Sequence, residues 1–364
     1  MSIVVVTGAS GFIGARLAQD LLDAGQHVRC LVRSPDRLPV ELRGRVEVVC
    51  GDVRDQQSLR PAFHQADQVF HLAGLVKARR RRELFEVNHI GTYNVGVCCA
   101  RQPNPPTLVY VSSLAAAGPC RTDGPRCECE PPAPISQYGC SKLQGERVLR
   151  EMSCELPLTI VRPAVVFGPG DANSFAIFRP IARWGLHAAP TRAPHPISLI
   201  HVEDLCRLLQ LAAERGRRVE RPRSQAALGA GVYFAASSER ISYAEFGQMI
   251  AAALGRERVR VVAQPRWLAF ALAGVTQTLA RLVGRAPILN IDKMREAFAG
   301  AWHCSGEQAA RELGFQPAAT LAERVAETVA WYFTHGWLRR KFPTTPTSAD
   351  ATKRFSSTGI HLAK

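Results

Sequence analysis

The sequence predicts an α/β fold in which a doubly wound parallel sheet is followed by a smaller C-terminal α/β lobe. Three observations support this prediction: short β-branched runs alternate with helix-length segments, glycines punctuate the first junction, and the alternation stops after Pro163. Strands that alternate with helices imply right-handed crossovers and hence a parallel sheet. With 364 residues and 46% hydrophobic composition, the chain exceeds one usual compact domain and can bury a large core.

The predicted strands follow one another along the first half of the chain. The first spans residues 3–6 and precedes a glycine turn and a helical pattern of Ala15, Leu17, Ala18, Leu21 and Leu22. Further strands are expected at 27–32, 46–50, 68–72, 108–112 and 158–161. After them, Pro-rich and Arg-rich segments at 188–196 and 215–223 are interleaved with helical pieces such as 244–254, which favours a separate lobe.

A glycine-rich loop joins the first strand to the first helix, and residues 7–14 read Thr-Gly-Ala-Ser-Gly-Phe-Ile-Gly. Gly8 permits a tight turn, Gly11 lets the backbone approach a pyrophosphate, and Gly14 lets the helix pack on the sheet. The N-terminus of the helix then supplies N–H donors and a partial positive charge. We therefore predict a Rossmann-type dinucleotide site that includes Gly8, Ser10, Gly11, Phe12, Ile13 and Gly14.

The end of the second strand bears on the choice between NADP and NAD. An acidic residue there would bind the ribose hydroxyl, but residues 31–34 read Leu-Val-Arg-Ser and include no carboxylate. Arg33 can pair bidentately with a 2′-phosphate, which favours NADP slightly. Arg33 can also stack on adenine or lie in solvent, so NAD stays open.

Tyr138 and Lys142 stand four residues apart at the start of a helical segment, so both side chains fall on one face. A phenol titrates near pH 10, and its use as a base near neutrality requires about 4 kcal/mol of preferential stabilisation of the phenolate. A nearby ammonium and a positive nicotinamide ring can supply it. Ser113, at the tip of a predicted strand, would hydrogen-bond the substrate oxygen. We predict that Ser113, Tyr138 and Lys142 are catalytic.

Jointly, the motifs resemble those of the extended short-chain dehydrogenase/reductase family, also called the NAD-dependent epimerase/dehydratase family. The resemblance spans nearly the whole chain, as far as residues 313–315 and Trp337. It rests on residues 7–14, 51–53, 71–74, 87–88, 112–113, 138–142, 162–171 and 201–204.

The resemblance implies further contacts with the cofactor. Asp52 and Val53 should contact adenine, Leu72, Ala73 and Gly74 should flank the cofactor beside Ser112, and Pro163 to Val165 should border the nicotinamide. Asn88 would brace the central helix, although plain turn chemistry explains it about as well. We expect residues 1–165 to form the NAD(P)-binding domain with the catalytic groups, 166–342 mainly the substrate-binding lobe, and 343–364 a flexible tail.

The substrate class follows from two differences within the family. Members that act on sugar nucleotides typically carry an aromatic-Asn pair and an Arg-Asp-aromatic run, where this chain has Val165-Val166-Phe167 and residues 197–200, Ile-Ser-Leu-Ile. Residues 112–119 look more like the 3β-hydroxysteroid dehydrogenase and dihydroflavonol reductase branch. We favour hydride transfer at a secondary alcohol or ketone of a hydrophobic substrate. A nucleotide-sugar epimerase or dehydratase, and an NAD(P)-binding regulatory protein without turnover, are the alternatives.

The net charge of +15 favours acidic ligands or an anionic membrane surface, since no nucleic-acid-binding signature accompanies it. The densest basic run is Lys77 to Arg82. No secretion signal is visible, so the 11 cysteines indicate a reducing cytoplasm, and no metal site is expected. Zinc at Cys120, Cys127, Cys129 and Cys140 is the alternative, but the usual paired CxxC spacing is missing.

Residues 265–285 form an amphipathic pattern in which Trp267, Leu272 and Leu279 recur near helical spacing and arginines flank the apolar stripe. Such a helix could lie on the inner membrane surface and admit a lipid-like substrate. It could equally pack on the substrate lobe or meet a second copy in a homodimer. Polar residues interrupt it, so it does not span a membrane.

Overall fold

The computed structural model describes residues 2–121, 124–191, 193–220, 228–283 and 290–339. The tail expected at 343–364 lies outside the described residues. The described strands are β1 (Ile3–Thr7), β2 (His27–Val32), β3 (Glu47–Cys50), β4 (Gln68–His71), β5 (Thr107–Val111), β6 (Leu158–Pro163), β7 (Val165–Phe167), β8 (Leu186–Ala189), β9 (Pro196–Ile197), β10 (Leu199–His201), β11 (Val232–Ala235), β12 (Ile241–Ser242) and β13 (Arg260–Ala263).

The described helices alternate with these strands in the first half and dominate the second. They are α1 (Phe12–Asp23), α2 (Gln56–Phe63), α3 (Arg81–Phe85), α4 (Thr92–Ala100), α5 (Leu114–Ala117), α6 (Gln137–Glu151), α7 (Ala172–Trp184), α8 (Val202–Arg215), α9 (Tyr243–Ala253), α10 (Arg266–Leu282), α11 (Ile291–Ala297), α12 (Glu307–Leu313) and α13 (Leu321–Thr334). A π-helical turn (Glu86–Gly91) joins α3 to α4.

Seven parallel strands form the main sheet, in the order β11-β6-β5-β4-β1-β2-β3. The predicted doubly wound sheet is therefore confirmed. The chain turns from one half of the sheet to the other between β1 and β4, and ligands of such sheets bind at the carboxyl ends of the strands beside that point. The glycine loop follows β1 and residues 72–74 follow β4.

Helices cover both faces of the sheet, whose central strands β1, β4, β5 and β6 are buried on both sides. On one face α1, α8 and α12 bury Leu17, Leu205 and Leu313. On the other, α2, α4 and α6 contribute a second core that includes Leu59 and Leu149. Residues beyond 165, in α8, β11 and α12, thus return to the main sheet.

The C-terminal lobe is built on α7, α9 and α13, whose Phe178, Phe246 and Tyr332 pack edge to face. Short strand pairs connect the remaining segments: β7 with β10, β9 with β12, and β8 with β13. An ion-pair network ties this lobe to the sheet, because Arg324 of α13 donates to Asp204 of α8 at 2.9 and 3.0 Å.

Helix α10 has one buried and one exposed face. Ala269 and Ala273 are buried against Met294 of α11, whereas Trp267 is 73% exposed, Leu272 49% and Leu279 55%. The apolar stripe therefore faces outward along the described part of this helix. None of the described helices combines the length and hydrophobicity that crossing a bilayer requires.

Candidate active site

The glycine loop has the geometry that a pyrophosphate site needs. Gly8 has φ +80°, and a Cβ there would lie 2.8 Å from the backbone N of Ala73; a Cβ on Gly14 would lie 2.3 Å from the carbonyl O of Gly8. Each position therefore excludes a larger residue. Helix α1 begins at Phe12, and its N-cap, Gly11, makes no side-chain cap. The first N–H groups of α1 stay available to an anion.

A groove of about 170 Å³ opens beside this loop. Nine of the predicted cofactor residues line it: Gly8, Ser10, Gly11, Arg33, Asp52, Val53, Leu72, Ala73 and Gly74. Leu31, Val32, Gly51, Leu75 and Val87 complete the walls and were not predicted. Each of them lies within or next to a segment already identified in the sequence. Their position beside those segments is the signal that could have predicted them. The apolar side chains of the groove and the backbone of the glycine loop suit an adenine dinucleotide.

Phe12, Ile13 and Gly14 lie in the first turn of α1, outside the groove lining. Phe12 and Ile13 pack against the core beneath α1. Their side chains are therefore structural, and only their backbone can meet a pyrophosphate.

A second, basic cavity of about 590 Å³ adjoins the groove and shares Arg33 with it. The other cations that line this cavity are Arg37, Arg54, Lys77 and Arg79. Part of the basic run from Lys77 to Arg82 thus lies beside the groove. Arg54 is already engaged, since its Nη2 donates to Asp52 at 2.6 Å, and this hydrogen bond lowers the pKa of Asp52.

The predicted catalytic residues come together at the carboxyl end of β5 and the start of α6. Ser113 lies two residues after the end of β5 and caps α5, accepting from the backbone N of Ala115 at 3.1 Å. The Ser113 hydroxyl lies close enough to the Tyr138 phenol to lower its pKa. The approach of α5 to α6 depends on Gly139, because a Cβ there would lie 2.2 Å from the carbonyl O of Ala115.

Lys142 lies one turn after Tyr138 on α6 and is buried. Its Nζ stands 4.4 Å from the ring centre of Tyr110. A Cβ on Gly74 would lie 3.7 Å from that Nζ and 3.1 Å from Oδ1 of Asn88. The ammonium therefore meets the inner end of the segment that lines the groove.

The two titratable groups have opposite pKa shifts with one main cause. Desolvation raises the pKa of Tyr138 to about 12; the nearby Ser113 hydroxyl lowers this pKa, and the charge of Glu296 raises it further. Desolvation lowers the pKa of Lys142 to about 7, against the attraction of Glu146. In the protein alone, burial thus favours the neutral phenol.

Asn88 lies in the π-helical turn and connects two segments of the site. Its Oδ1 accepts from the backbone N of Leu75 at 2.7 Å, and its Nδ2 donates to Leu75 O at 2.8 Å and to Ser141 Oγ at 2.9 Å. The Ser141 hydroxyl donates in turn to the carbonyl O of Tyr138 at 2.7 Å. Asn88 thus links the groove wall to the helix that carries Tyr138.

His71, at the end of β4, forms a buried chain of hydrogen bonds that the sequence analysis did not foresee. Thr7 Oγ1 accepts from Ala73 N at 3.1 Å and donates to His71 Nδ1 at 2.7 Å, and His71 Nε2 donates to Thr92 Oγ1 at 3.0 Å. The Thr92 hydroxyl donates to Asn88 O at 2.8 Å. The hydrogen bonds at both ends of this series fix the tautomer of His71, with the proton on Nε2. Desolvation lowers the pKa of His71 to about 3, so the ring is neutral.

The remaining predicted residues lie around the ends of β5 and β6. Ser112 is buried, and its Oγ donates to Glu146. Pro163 ends β6, and Val165 begins β7 with its side chain 47% exposed. None of these three lines the groove of the described residues.

Among the described residues, His201, Glu203 and Glu327 bring potential metal ligands within 4.8 Å of one another. Arg324 Nη1 donates to both carboxylates at 2.8 Å. Because a guanidinium already balances these charges, we assign the group as an ion-pair network. In the cysteine-rich segment, the Cys120 thiol donates to His303 O at 3.0 Å.

Comparison with known proteins agrees with this geometry. The model of the NAD dependent epimerase/dehydratase family matches residues 4–226. The chain belongs to this family. It is therefore an enzyme of the nicotinamide-dependent dehydrogenase, epimerase and dehydratase type, and the resemblance found in its motifs is confirmed.

Individual relatives act on different substrates. The chain is 28% identical over 341 residues to sterol demethylase protein B of Methylococcus capsulatus, covering 92% of this chain and 99% of that protein. It is 28% identical over 337 residues to the mouse sterol-4-alpha-carboxylate 3-dehydrogenase, decarboxylating, covering 89% of each. UDP-glucose 4-epimerase of Thermotoga maritima superimposes with a TM-score of 0.72 at 22% identity, covering 92% of this chain and 99% of that chain. At this identity the structural similarity establishes the fold alone.

Proposed function

We propose that this enzyme is an NAD(P)-dependent dehydrogenase or reductase of a hydrophobic secondary alcohol or ketone. The observation that carries the proposal is the convergence of Ser113, Tyr138 and the buried Lys142 where α5 packs closely on the start of α6. A binding protein without turnover would not need a phenol, a hydroxyl and a buried ammonium at one point. The division of labour between a domain of residues 1–165 and a substrate lobe of residues 166–342 is part of the proposal.

The cofactor supplies or accepts the hydride, and the residues of the chain handle the proton. In reduction, the Tyr138 hydroxyl donates its proton to the carbonyl oxygen of the substrate, which Ser113 holds by a hydrogen bond. The Lys142 ammonium stabilises the phenolate that forms. In oxidation the same groups act in reverse, and Tyr138 accepts the proton.

The cofactor contacts are assigned from the groove. Gly8, Ser10 and Gly11, with the N–H groups of Phe12 and Ile13 and the close packing of Gly14, would hold the pyrophosphate. Asp52 and Val53 would contact adenine, Leu72, Ala73 and Gly74 would flank the cofactor, and Ser112, Pro163 and Val165 would border its nicotinamide end. Asn88 would brace Tyr138 and Lys142 from behind.

NADP is the cofactor that we favour over NAD. Arg33 lies between the groove and the basic cavity, where Arg37, Lys77 and Arg79 also converge. A 2′-phosphate adds two negative charges at the adenosine end, and arginine pairs with phosphate bidentately. Two carboxylates line the groove and the cavity: Asp52 is paired with Arg54, and Glu83 accepts a hydrogen bond from the backbone N of Arg79.

The hydrophobic substrate class is supported by the residues at the two positions where sugar-nucleotide enzymes of the family carry their nucleotide-binding side chains. Val165 and the partly buried Val166 occupy one such position, and Leu199 and Ile200 of β10 are fully buried at the other. The hydroxyl of the buried Ser198 at the second position is already bonded to His303 and to the backbone N of Cys304, so neither position offers a free side-chain hydrogen bond to a sugar nucleotide. The relatives named for sterol chemistry fit the same assignment. A nucleotide-sugar epimerase or dehydratase is the second candidate, favoured only by the fold.

We also propose that the outer face of α10 rests on an anionic membrane surface. Its exposed tryptophan and leucines resemble the apolar face of an interfacial helix, and Arg266 stands at its start. A second copy of the chain is the competing occupant, and a homodimer would bury the same face.

Mass spectrometry of the small molecules retained by natively purified protein tests the proposal. We expect NADP(H) together with a lipid-like alcohol or ketone. Retention of a nucleotide sugar would contradict it.

A further inference from the structure

We propose that Glu146, paired with Arg162, is the positioning residue of the catalytic centre: it holds together the segments that carry the proton-transfer groups and balances the charge of Lys142. This inference rests on the proposed role of Lys142. Neither Glu146 nor Arg162 is assigned a contact with substrate or cofactor.

Glu146 and Arg162 form a fully buried, multiply bonded pair. Arg162 donates from Nε to Glu146 Oε1 at 2.9 Å and from Nη2 to Glu146 Oε2 at 2.6 Å. The Ser112 hydroxyl donates to Oε1 at 2.5 Å. The two charged side chains are 1% and 2% exposed. Such a pair is costly to desolvate and therefore weak evidence for stability, which leaves its purpose to be explained.

The pair joins the three segments of the proposed site. Glu146 lies one turn after Lys142 on α6. Ser112 directly follows β5 and precedes Ser113. Arg162 precedes Pro163, the last residue of β6. A shift of any segment would lengthen one of these hydrogen bonds. The carboxylate thereby fixes the separation between the hydroxyl, the phenol and the nicotinamide side of the site.

Among the described groups around Lys142, Glu146 is the one whose charge acts on the Lys142 pKa. His71, on β4, is neutral, and burial raises the pKa of the Tyr110 phenol on β5 well above its usual value. Tyr138 on the same helix is a neutral phenol. Desolvation lowers the pKa of Lys142, and the attraction of Glu146 opposes that loss. The carboxylate thus opposes the loss of charge that burial imposes on Lys142.

A direct titration of Lys142 separates this role from a merely structural one. The protein is labelled with carbon-13 lysine, the Lys142 signal is assigned by its loss in Lys142→Met, and its chemical shift is followed with pH. We compare wild type with Glu146→Gln and with Glu146→Gln/Arg162→Met, which leaves no buried unpaired guanidinium. Glu155→Gln, an exposed acid near the end of α6, is the control.

We expect Glu146→Gln and Glu146→Gln/Arg162→Met, which both lack the carboxylate charge, to lower the midpoint of the Lys142 titration by about one pH unit. This is a tenfold change in proton affinity. The Glu155→Gln control should leave the midpoint unchanged. Glu146→Asp, which keeps the charge, should restore most of the midpoint. If the single variant does not fold, the double variant decides. An unchanged midpoint in a folded double variant overturns the proposal. The titration needs no substrate, so it can succeed even where the proposed catalytic role of Lys142 fails in kinetics.

Discussion

Asp292 of α11 accepts hydrogen bonds from the backbone N of Gln137 at 2.9 and 2.7 Å, at the start of the helix that carries Tyr138. A second contact, from Tyr138 N, measures 3.4 Å. The negative carboxylate lies at the positive end of α6, which is a stabilising arrangement. The C-terminal segment therefore helps to orient the Tyr138 phenol, for which we propose the catalytic role.

Asp292→Ala should lower kcat about tenfold, because the first turn of α6 loses its external acceptor and a Tyr138 displaced by a fraction of an ångström transfers protons poorly. Asp292→Asn keeps one acceptor oxygen and should stay within about threefold of wild type. Steady-state kinetics with NADPH check both. Equal losses in the two variants would show that the hydrogen bonds are not what matters.

Tyr138→Phe should abolish turnover while leaving NADPH affinity nearly unchanged, because only the proton-transferring oxygen is lost. Lys142→Ala should weaken both, since its ammonium meets the inner end of the groove wall near Gly74. Fluorescence titration of NADPH and kcat measurements test these expectations. A Phe variant within about tenfold of the wild-type kcat would show that Tyr138 is not the acid or base.

Lys142→Met should make the protein more stable at neutral pH. The pKa of Lys142 is lowered from 10.5 to about 7 in the folded state, so below pH 7 the fold carries the full cost of burying the charge. Stability rises as pH increases from about 7 to 10.5, because the unfolded chain then holds more protons. The gain in Tm should be roughly 5 °C at pH 7 and shrink towards pH 10.

Thermal unfolding followed by circular dichroism measures this difference. Lys77→Met is the matched control, since Lys77 is exposed and should not change Tm at either pH. A destabilised Lys142→Met at pH 7 would mean that the ammonium is stabilising where it lies.

Arg33→Ala should weaken NADPH far more than NADH, because a lost charge-assisted contact costs about 1.5–3 kcal/mol. Arg79→Ala should act in the same direction with a smaller effect. Arg311→Ala, an exposed arginine outside the basic cavity, is the control. Equal weakening of both cofactors in fluorescence titrations would show that Arg33 does not read the 2′-phosphate.

Wild-type protein should float with anionic vesicles at low salt, and less as salt screens the basic contribution. Leu272→Glu/Leu279→Glu should float less, because both side chains belong to the exposed face of α10. The control, Val40→Glu/Val48→Glu, makes the same charge change at exposed apolar residues elsewhere. Wild type that stays at the bottom would refute the membrane assignment; a concentration-dependent dimer that the Leu variants abolish would assign the face to a second copy.

The sequence predicted the main sheet well because short apolar runs alternate regularly with helix-length segments in the first half of the chain. It did not predict β11, since Val232–Ala235 is a short apolar run whose periodicity cannot distinguish strand from helix. Ser113, Tyr138 and Lys142 were found from local spacing and order. Glu146, His71 and Asp292 were not singled out for a role in the site, because their importance depends on contacts between segments far apart in sequence, such as Gln137 with Asp292.

The most direct test of the central claim is the near-ultraviolet absorbance of reduced nicotinamide during incubation with candidate substrates. The panel pairs NADPH with a 3-ketosteroid and NADP with a 3β-hydroxysteroid, alongside UDP-glucose with NAD, each repeated with Tyr138→Phe. We expect net cofactor conversion with a hydrophobic substrate, equal in moles to product and lost in the variant. Isomerisation of UDP-glucose without net cofactor conversion, and no turnover of the hydrophobic compounds, would contradict the account.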